Sequence, residues 1–168
     1  MNGKSIDSIL IDVLCGTGTR YLGVYARDMI PSHLTHFPCA YVANTDINAL
    51  PGKHWVAFYH ESPTHLEFFD SYGEPPETYD FSISPHITTL YYNSFPIQGL
   101  HSSVCGQHCI FYLYQRSRRI SLRSNLIALS RTANPDLFVR TFVSRLQAKS
   151  TLTSFHCSYS NQISLIKQ

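Results

Sequence analysis

A cysteine acts as a nucleophile when its surroundings hold it as the thiolate. The stretch Gln98-Gly-Leu-His-Ser-Ser-Val-Cys105-Gly-Gln-His-Cys109 has that character. A turn of small residues runs into the apolar segment Ile110-Phe-Tyr-Leu-Tyr114, which places Cys105 at or near a helix N-terminus. The unpaired N–H groups and dipole of such an end favour a negative sulfur. Gln98 follows an extended stretch and can return its amide toward the same point, beside the Cys105 N–H, as a donor for an oxyanion. The plain alternative is that Cys105 and Cys109, at i and i+4, are both core residues, since free cysteine is among the most buried residue types.

A thiol nucleophile needs a base, and the base needs a group that orients it. Nine histidines are present, so position must choose among them. His54 immediately precedes the strand-like Trp55-Val-Ala-Phe-Tyr59, and Asp70 ends the strand-like Leu66-Glu-Phe-Phe-Asp70. If the two strands form an antiparallel hairpin, the start of the first and the end of the second share one sheet edge, so His54 and Asp70 lie side by side. A helix starting at Cys105 and packed on that sheet would bring its N-terminus to the same edge. Each residue has a simpler reading: His54 beside a loop, Asp70 in an Asx-turn before Ser71-Tyr-Gly73, Gln98 as a surface amide. The order His, acid, Gln, Cys, each at an element boundary, is what favours chemistry. His101, Cys105, His108 and Cys109 also form a dense His/Cys group, but zinc sites take two ligand pairs and the second pair is missing.

The elements that would position these residues can be read from hydrophobic periodicity. Ile6, Ile9, Leu10 and Val13 share one face of an opening helix, with Ser5 as N-cap and Gly16 as stop. Tyr21–Tyr25, Cys39–Ala43 and Ile87–Tyr92 read as further strands, and residues 31–38 as a surface loop. Cys109–Gln115 is apolar nearly all round, which predicts a buried helix. Leu122–Leu129 has helical spacing, and Asn134-Pro135 is an N-cap with proline at the first helical position, sending Leu137, Phe138, Phe142, Val143 and Leu146 down one face. The tail from Lys149, rich in Ser and Thr, reads as irregular. The expected class is α+β: a mixed or antiparallel central sheet, a buried helix carrying the nucleophile at its N-terminus, and further helices in the C-terminal half.

At 168 residues, 43% of them hydrophobic, the chain suits one domain spanning 1–168. No apolar run approaches the ~18 residues of a membrane span, and no leader with a cleavage site is evident, so an intracellular, non-secreted protein is expected. Five cysteines, an odd number without paired spacing, fit a reducing compartment. The net charge of +2 conceals a division: residues 1–84 hold four basic and ten acidic residues, residues 85–168 nine basic and one acidic. Such asymmetry suits either a polyanion such as DNA or a solvated basic surface.

Gly52-Lys-His54-Trp55-Val-Ala-Phe58, Phe68-Phe-Asp70-Ser-Tyr-Gly73 and Gln98-Gly-x5-Cys105-Gly-x2-Cys109 resemble the adenovirus endopeptidase (adenain) family, in the clan shared with ubiquitin-like-protein-specific proteases. Leu14-Cys-Gly16, Tyr21–Tyr25 and Pro38-Cys-Ala40 extend the resemblance, which covers about residues 6 to 115. It implies a cysteine endopeptidase in which Cys105 is the nucleophile, His54 its base and later acid, Asp70 the orienting acid and Gln98 an oxyanion donor, with Trp55 in the pocket wall. It also implies cleavage of viral precursor or capsid proteins at small-residue, glycine-containing sites, a source in a DNA virus or virus-like element, and residence in host nucleus, cytoplasm or virion. The clan's other branch, which cuts ubiquitin-like proteins, is the alternative substrate class, and a noncatalytic polyanion-binding module on the same fold is the alternative to an enzyme. The chemistry needs no metal or other cofactor, although an activating peptide or DNA belongs to the family pattern. Three departures stand out. Asp70 replaces the Glu usual in adenovirus enzymes, no cysteine lies between Cys39 and Cys105 to hold an activating peptide by a disulfide, and the helical half is short.

Overall fold

The computed structural model describes residues 1–149. Helix α1 (Gly3–Leu14) precedes strands β1 (Arg20–Tyr25), β2 (Cys39–Asn44), β3 (Trp55–Ser62), β4 (His65–Phe69) and β5 (Thr89–Tyr92). Helices α2 (Cys105–Ser117), α3 (Leu122–Ser130) and α4 (residues 135–149) follow. The strands lie in the sheet in chain order. The inner pairs β2–β3 and β3–β4 are antiparallel and the outer pairs β1–β2 and β4–β5 parallel, which makes the mixed sheet of an α+β fold. The antiparallel hairpin β3–β4 pairs Ala57 with Phe69 and Phe58 with Phe68.

Alternation along β3 sends successive side chains to opposite faces of the sheet. Ala57 and Tyr59 join Ala40, Val42 and Phe69 beneath α1 (Ile6, Ile9, Leu10, Leu14) and α2 (Cys109, Ile110, Leu113). Val56 and Phe58 join Tyr41, Leu66 and Phe68 on the other face, where Phe81, in the loop after a short 3-10 turn at Pro76–Tyr79, closes an aromatic cluster instead of a helix. The nearly uniform apolarity of α2 has a direct cause. One side meets the sheet and α1, while Phe111 on the other side packs with Val104, Leu129 and Val139.

Local details depart from expectation at three places. The cap of α1 is Asn2, whose Oδ1 accepts from the Ser5 N–H at 2.9 Å; Ser5, read as the cap, lies inside the first turn. Gly16, at φ +71°, does stop that helix. Asn134 caps α4 as expected, its Oδ1 accepting from the Leu137 N–H at 2.9 Å, but the buried stripe carries Val139 and Val143, leaving Leu137 and Phe138 58% and 43% exposed. Apolar residues at 137, 138, 139, 142, 143 and 146 are compatible with more than one face, and packing against Phe111 and Leu129 selected between them. β5 begins at Thr89, and Ile87 instead packs against the aromatic cluster. The irregular tail read from the sequence lies, beyond Lys149, outside the described residues.

Candidate active site

His54 and Asp70 meet where the hairpin geometry requires. His54 stands one residue before β3 and Asp70 one residue after β4, and His54 Nε2 lies 2.5 Å from Asp70 Oδ1. Asp70 is fully buried and its oxygens have further donors: the Tyr72 amide to Oδ1 (3.1 Å), the Glu74 amide (3.0 Å) and the Tyr79 hydroxyl (2.9 Å) to Oδ2. The Asx-turn reading of Asp70 therefore holds as well, because the carboxylate that receives the imidazole also organises the turn. The main chain here is locked by Asn93, which accepts from the Asp70 N–H and donates to its carbonyl. Gly73 completes the turn at φ +78°, where a Cβ would lie 2.4 Å from the Phe95 backbone, so no other residue fits.

Cys105 is the first residue of α2. Val104 occupies the N-cap position and offers no side-chain oxygen, so the first amides of the helix have no side-chain cap. Gly106 lets α2 approach α1 closely, since a Cβ there would lie 2.9 Å from Ile6 Cδ1 and the isoleucine would have to shift. This contact seats the helix start against α1, under the edge that bears His54.

The charges follow from these neighbours. Burial would raise the Cys105 thiol, but its hydrogen bond and charge interaction with His54, with backbone hydrogen bonds at Trp55 and Gly106, bring it below its ordinary value. Burial would lower His54, yet Asp70 and Cys105 together raise it to about 9. Burial would likewise raise Asp70, and the His54 interaction with the Tyr72 and Glu74 amides reverses this and holds the carboxyl below its usual range. With Nε2 committed to Asp70, Nδ1 is the ring nitrogen left for the sulfur. Both shifts favour a thiolate–imidazolium pair over the neutral thiol and imidazole. Cys109, one turn further along α2, is fully buried and its thiol is pushed well up by desolvation, with Sγ donating to the Trp55 carbonyl at 3.3 Å.

Gln98 is buried in the same region, but its amide is engaged. Oε1 accepts from Ser71 Oγ at 2.7 Å, and Nε2 donates to the Ser102 carbonyl at 2.7 Å and to the Tyr72 hydroxyl at 3.3 Å. It reaches His54 through Tyr72, whose ring stacks on the imidazole at 4.7 Å between centroids. Trp55 is partly buried, donates Nε1 to the Met1 carbonyl at 3.3 Å, and lies against Gly3 of α1. The His/Cys group near Cys105 is scattered: His101 is exposed, Cys109 is buried against Trp55, and His108 turns to Asp136. Among the described residues no cluster of three or more His, Cys, Asp or Glu is placed to hold a metal ion, and no helix is long and apolar enough to cross a membrane.

Sequence reasoning missed Ser71, Tyr72, Tyr79, Asn93, His108 and Asp136. Ser71 and Tyr72 directly follow Asp70, and Asp136 carries its own signal as the one acidic residue in the basic half. Nothing local marks Tyr79 or Asn93. A cavity of about 1070 Å³ lies on the other face of the sheet, lined by Arg27, Phe37, Tyr41, Phe58, His60 and Phe81 among others, and includes none of His54, Asp70, Gln98 or Cys105.

No protein-family model matches the chain. The protease of Porcine adenovirus A serotype 3 is 29% identical over 112 residues, a match that takes in 56% of this chain and 54% of that protein. The chain thus spans about half the length of this curated relative. The crystal structure of ASFV pS273R protease superposes with a TM-score of 0.55 at 18% identity, covering 86% of this chain and 66% of that one. Its selenomethionine form gives 0.53 at 19%, covering 87% and 67%. These likenesses agree with the resemblance to adenovirus endopeptidase: the chain is similar in sequence to an adenovirus protease and shares the fold of a second viral protease.

Proposed function

We propose that this chain is a viral cysteine endopeptidase domain that cleaves precursor or capsid proteins at glycine-containing sites. The observation that carries the reading is His54 held between the buried Asp70 carboxylate and the Cys105 thiol at the start of α2. The likeness to two viral proteases supports it.

In this reading the Cys105 thiolate attacks the scissile carbonyl carbon, forming a C–S bond while the carbonyl π pair moves to oxygen. The Cys105 N–H and the Gln98 amide hold that oxyanion, which requires Gln98 to exchange its long Tyr72 contact for the substrate oxygen. Collapse breaks the C–N bond as His54 gives its proton to the leaving amine. Water, deprotonated by His54, then attacks the thioester and returns the thiolate. Asp70 keeps the imidazole in the tautomer with Nε2–H throughout. Trp55 walls the pocket beside the base. The substrate is a protein; an activating peptide or DNA, and action inside the host cell or virion, are parts of the same proposal.

Cys105→Ala tests it directly. Cleavage of a quenched fluorescent glycine-rich peptide library and the fast phase of iodoacetamide labelling, mapped to residue 105 by peptide mass, should both vanish, leaving only slow labelling of exposed thiols such as Cys15, with circular dichroism unchanged. Turnover surviving in that variant would defeat the reading. Selective labelling by ubiquitin-like propeptide probes, with no cut in the peptide library, would move the substrate to the clan's other branch.

A further inference from the structure

We propose that Asp136, at the start of α4, is a positioning residue that sets Gln98 in place through the turn at residues 99–102; this rests on the peptidase reading above. Both carboxylate oxygens reach other segments. Oδ2 accepts from the Gly99 N–H at 3.1 Å, next to Gln98, and Oδ1 accepts from His108 Nε2 at 2.9 Å on the nucleophile helix. The turn closes on itself, with the Ser102 N–H bonded to the Gly99 carbonyl at 3.0 Å and the Ser102 carbonyl receiving Gln98 Nε2 at 2.7 Å. One carboxylate therefore ties the loop that bears the oxyanion donor to the helix that bears the sulfur, three residues beyond Cys105.

An acid in the first turn of a helix often serves only the helix dipole. Such a role needs no partner, and the side chain would lie in solvent. Asp136 is instead 20% exposed, and His108, its anchor, is fully buried. It is also the one acidic residue among 85–168, a half of the chain otherwise free of negative charge. Loss of the carboxylate leaves the Gly99 amide and the His108 ring without a partner and frees the turn. Because a displaced donor loses most of its effect on a developing oxyanion, the consequence falls on turnover and not on substrate binding.

The test is a double-variant cycle on the full chain, using the glycine-rich peptide substrate found with the wild type. Asp136→Ala should lower kcat about 10- to 100-fold with KM little changed. Asp136→Asn, which keeps one acceptor, should recover most of that loss. In a Gln98→Ala background the Asp136→Ala change should add less than about 3-fold, because the group it positions is already gone. Hydrogen exchange should quicken at residues 99–102 while β3 and the body of α2 stay protected, and the pH dependence of Cys105 labelling should stay fixed. Multiplicative losses in the two backgrounds, exchange quickened throughout the molecule, or a fully active Asp136→Ala would each overturn the positioning role while leaving the peptidase reading intact. A wild type that cuts no peptide and whose Cys105 labels like an ordinary thiol would overturn the peptidase reading and this inference with it.

Discussion

Among the described residues, histidine pairs with a carboxylate at two places, His54–Asp70 at the sheet edge and His108–Asp136 between α2 and α4, and the two pairs behave in opposite ways. His54 is raised to about 9 because two anionic partners, Asp70 and the Cys105 sulfur, outweigh burial. His108 has only Asp136, which is itself partly exposed, and there burial prevails and lowers the ring. Asp70 is fully buried with three donors besides His54, so its charge is fixed and little screened; Asp136, bonded to the Gly99 amide and His108, keeps some solvent. A His–Asp contact is therefore not by itself a catalytic signature. What separates the pairs is whether the second ring nitrogen meets an acid that can release a proton, and His108 Nδ1 meets no hydrogen-bond partner among the described residues.

The same substitution in both pairs gives the widest separation. Asp70→Asn should reduce kcat by about 10⁴-fold, since the wrong tautomer faces the sulfur, whereas Asp136→Asn should stay within about 10-fold. Steady-state cleavage of the peptide substrate measures both, and comparable losses would erase the distinction. The pH profile sharpens it. Activity should rise as pH passes the lowered Cys105 value and fall as His54 loses its proton near pH 9, as macroscopic steps of the coupled pair. Asp70→Asn should shift the alkaline limb to lower pH, and Asp136→Asn should leave it in place.

Tyr79→Phe removes one neutral donor from Asp70 without touching His54. The expected loss in kcat is about tenfold at most, the equivalent of one hydrogen bond to a charged group, about 1.5 kcal/mol. An unchanged rate would mean that the Tyr72 and Glu74 amides already suffice. The smallest effects are on stability. For His54, with its folded value raised, the stabilisation is fully present below the unfolded value of 6.5 and is lost as pH rises through about 9. For His108, with its folded value lowered, the unfolded chain takes up the proton first, so stability is lost as pH falls below 6.5. His60, lowered to about 4 by burial, acts with the same sign as His108. Urea midpoints from pH 5 to 9 should show His108→Gln flattening part of the acid-side loss only. A change on the alkaline side in that variant would contradict the assignment.

Much of the site was legible because its members sit at element boundaries. The alternation in Trp55-Val-Ala-Phe-Tyr and the run Leu-Glu-Phe-Phe declare a hairpin, and a hairpin necessarily brings the residue before one strand near the residue after the other, which is the His54–Asp70 contact. The small-residue turn before an apolar run likewise announces the N-terminus on which Cys105 lies. Tyr79 and Asn93 left no trace in local pattern. They reach Asp70 from a 3-10 turn and from the residue after β5, and only the folded path of those loops brings them there.

The sequence by itself determined the hairpin, the helix end and the order of His, Asp, Gln and Cys, because periodicity and turn chemistry act over a few residues and survive in any context. Tertiary structure alone decided which face of α4 is buried, which residue caps α1, that the Gln98 amide is engaged with Ser102 and Tyr72, and that the one acid of the basic half bonds both the Gly99 amide and His108 on α2. Those outcomes depend on which surfaces meet, and the same short pattern permits several meetings until close packing leaves room for one.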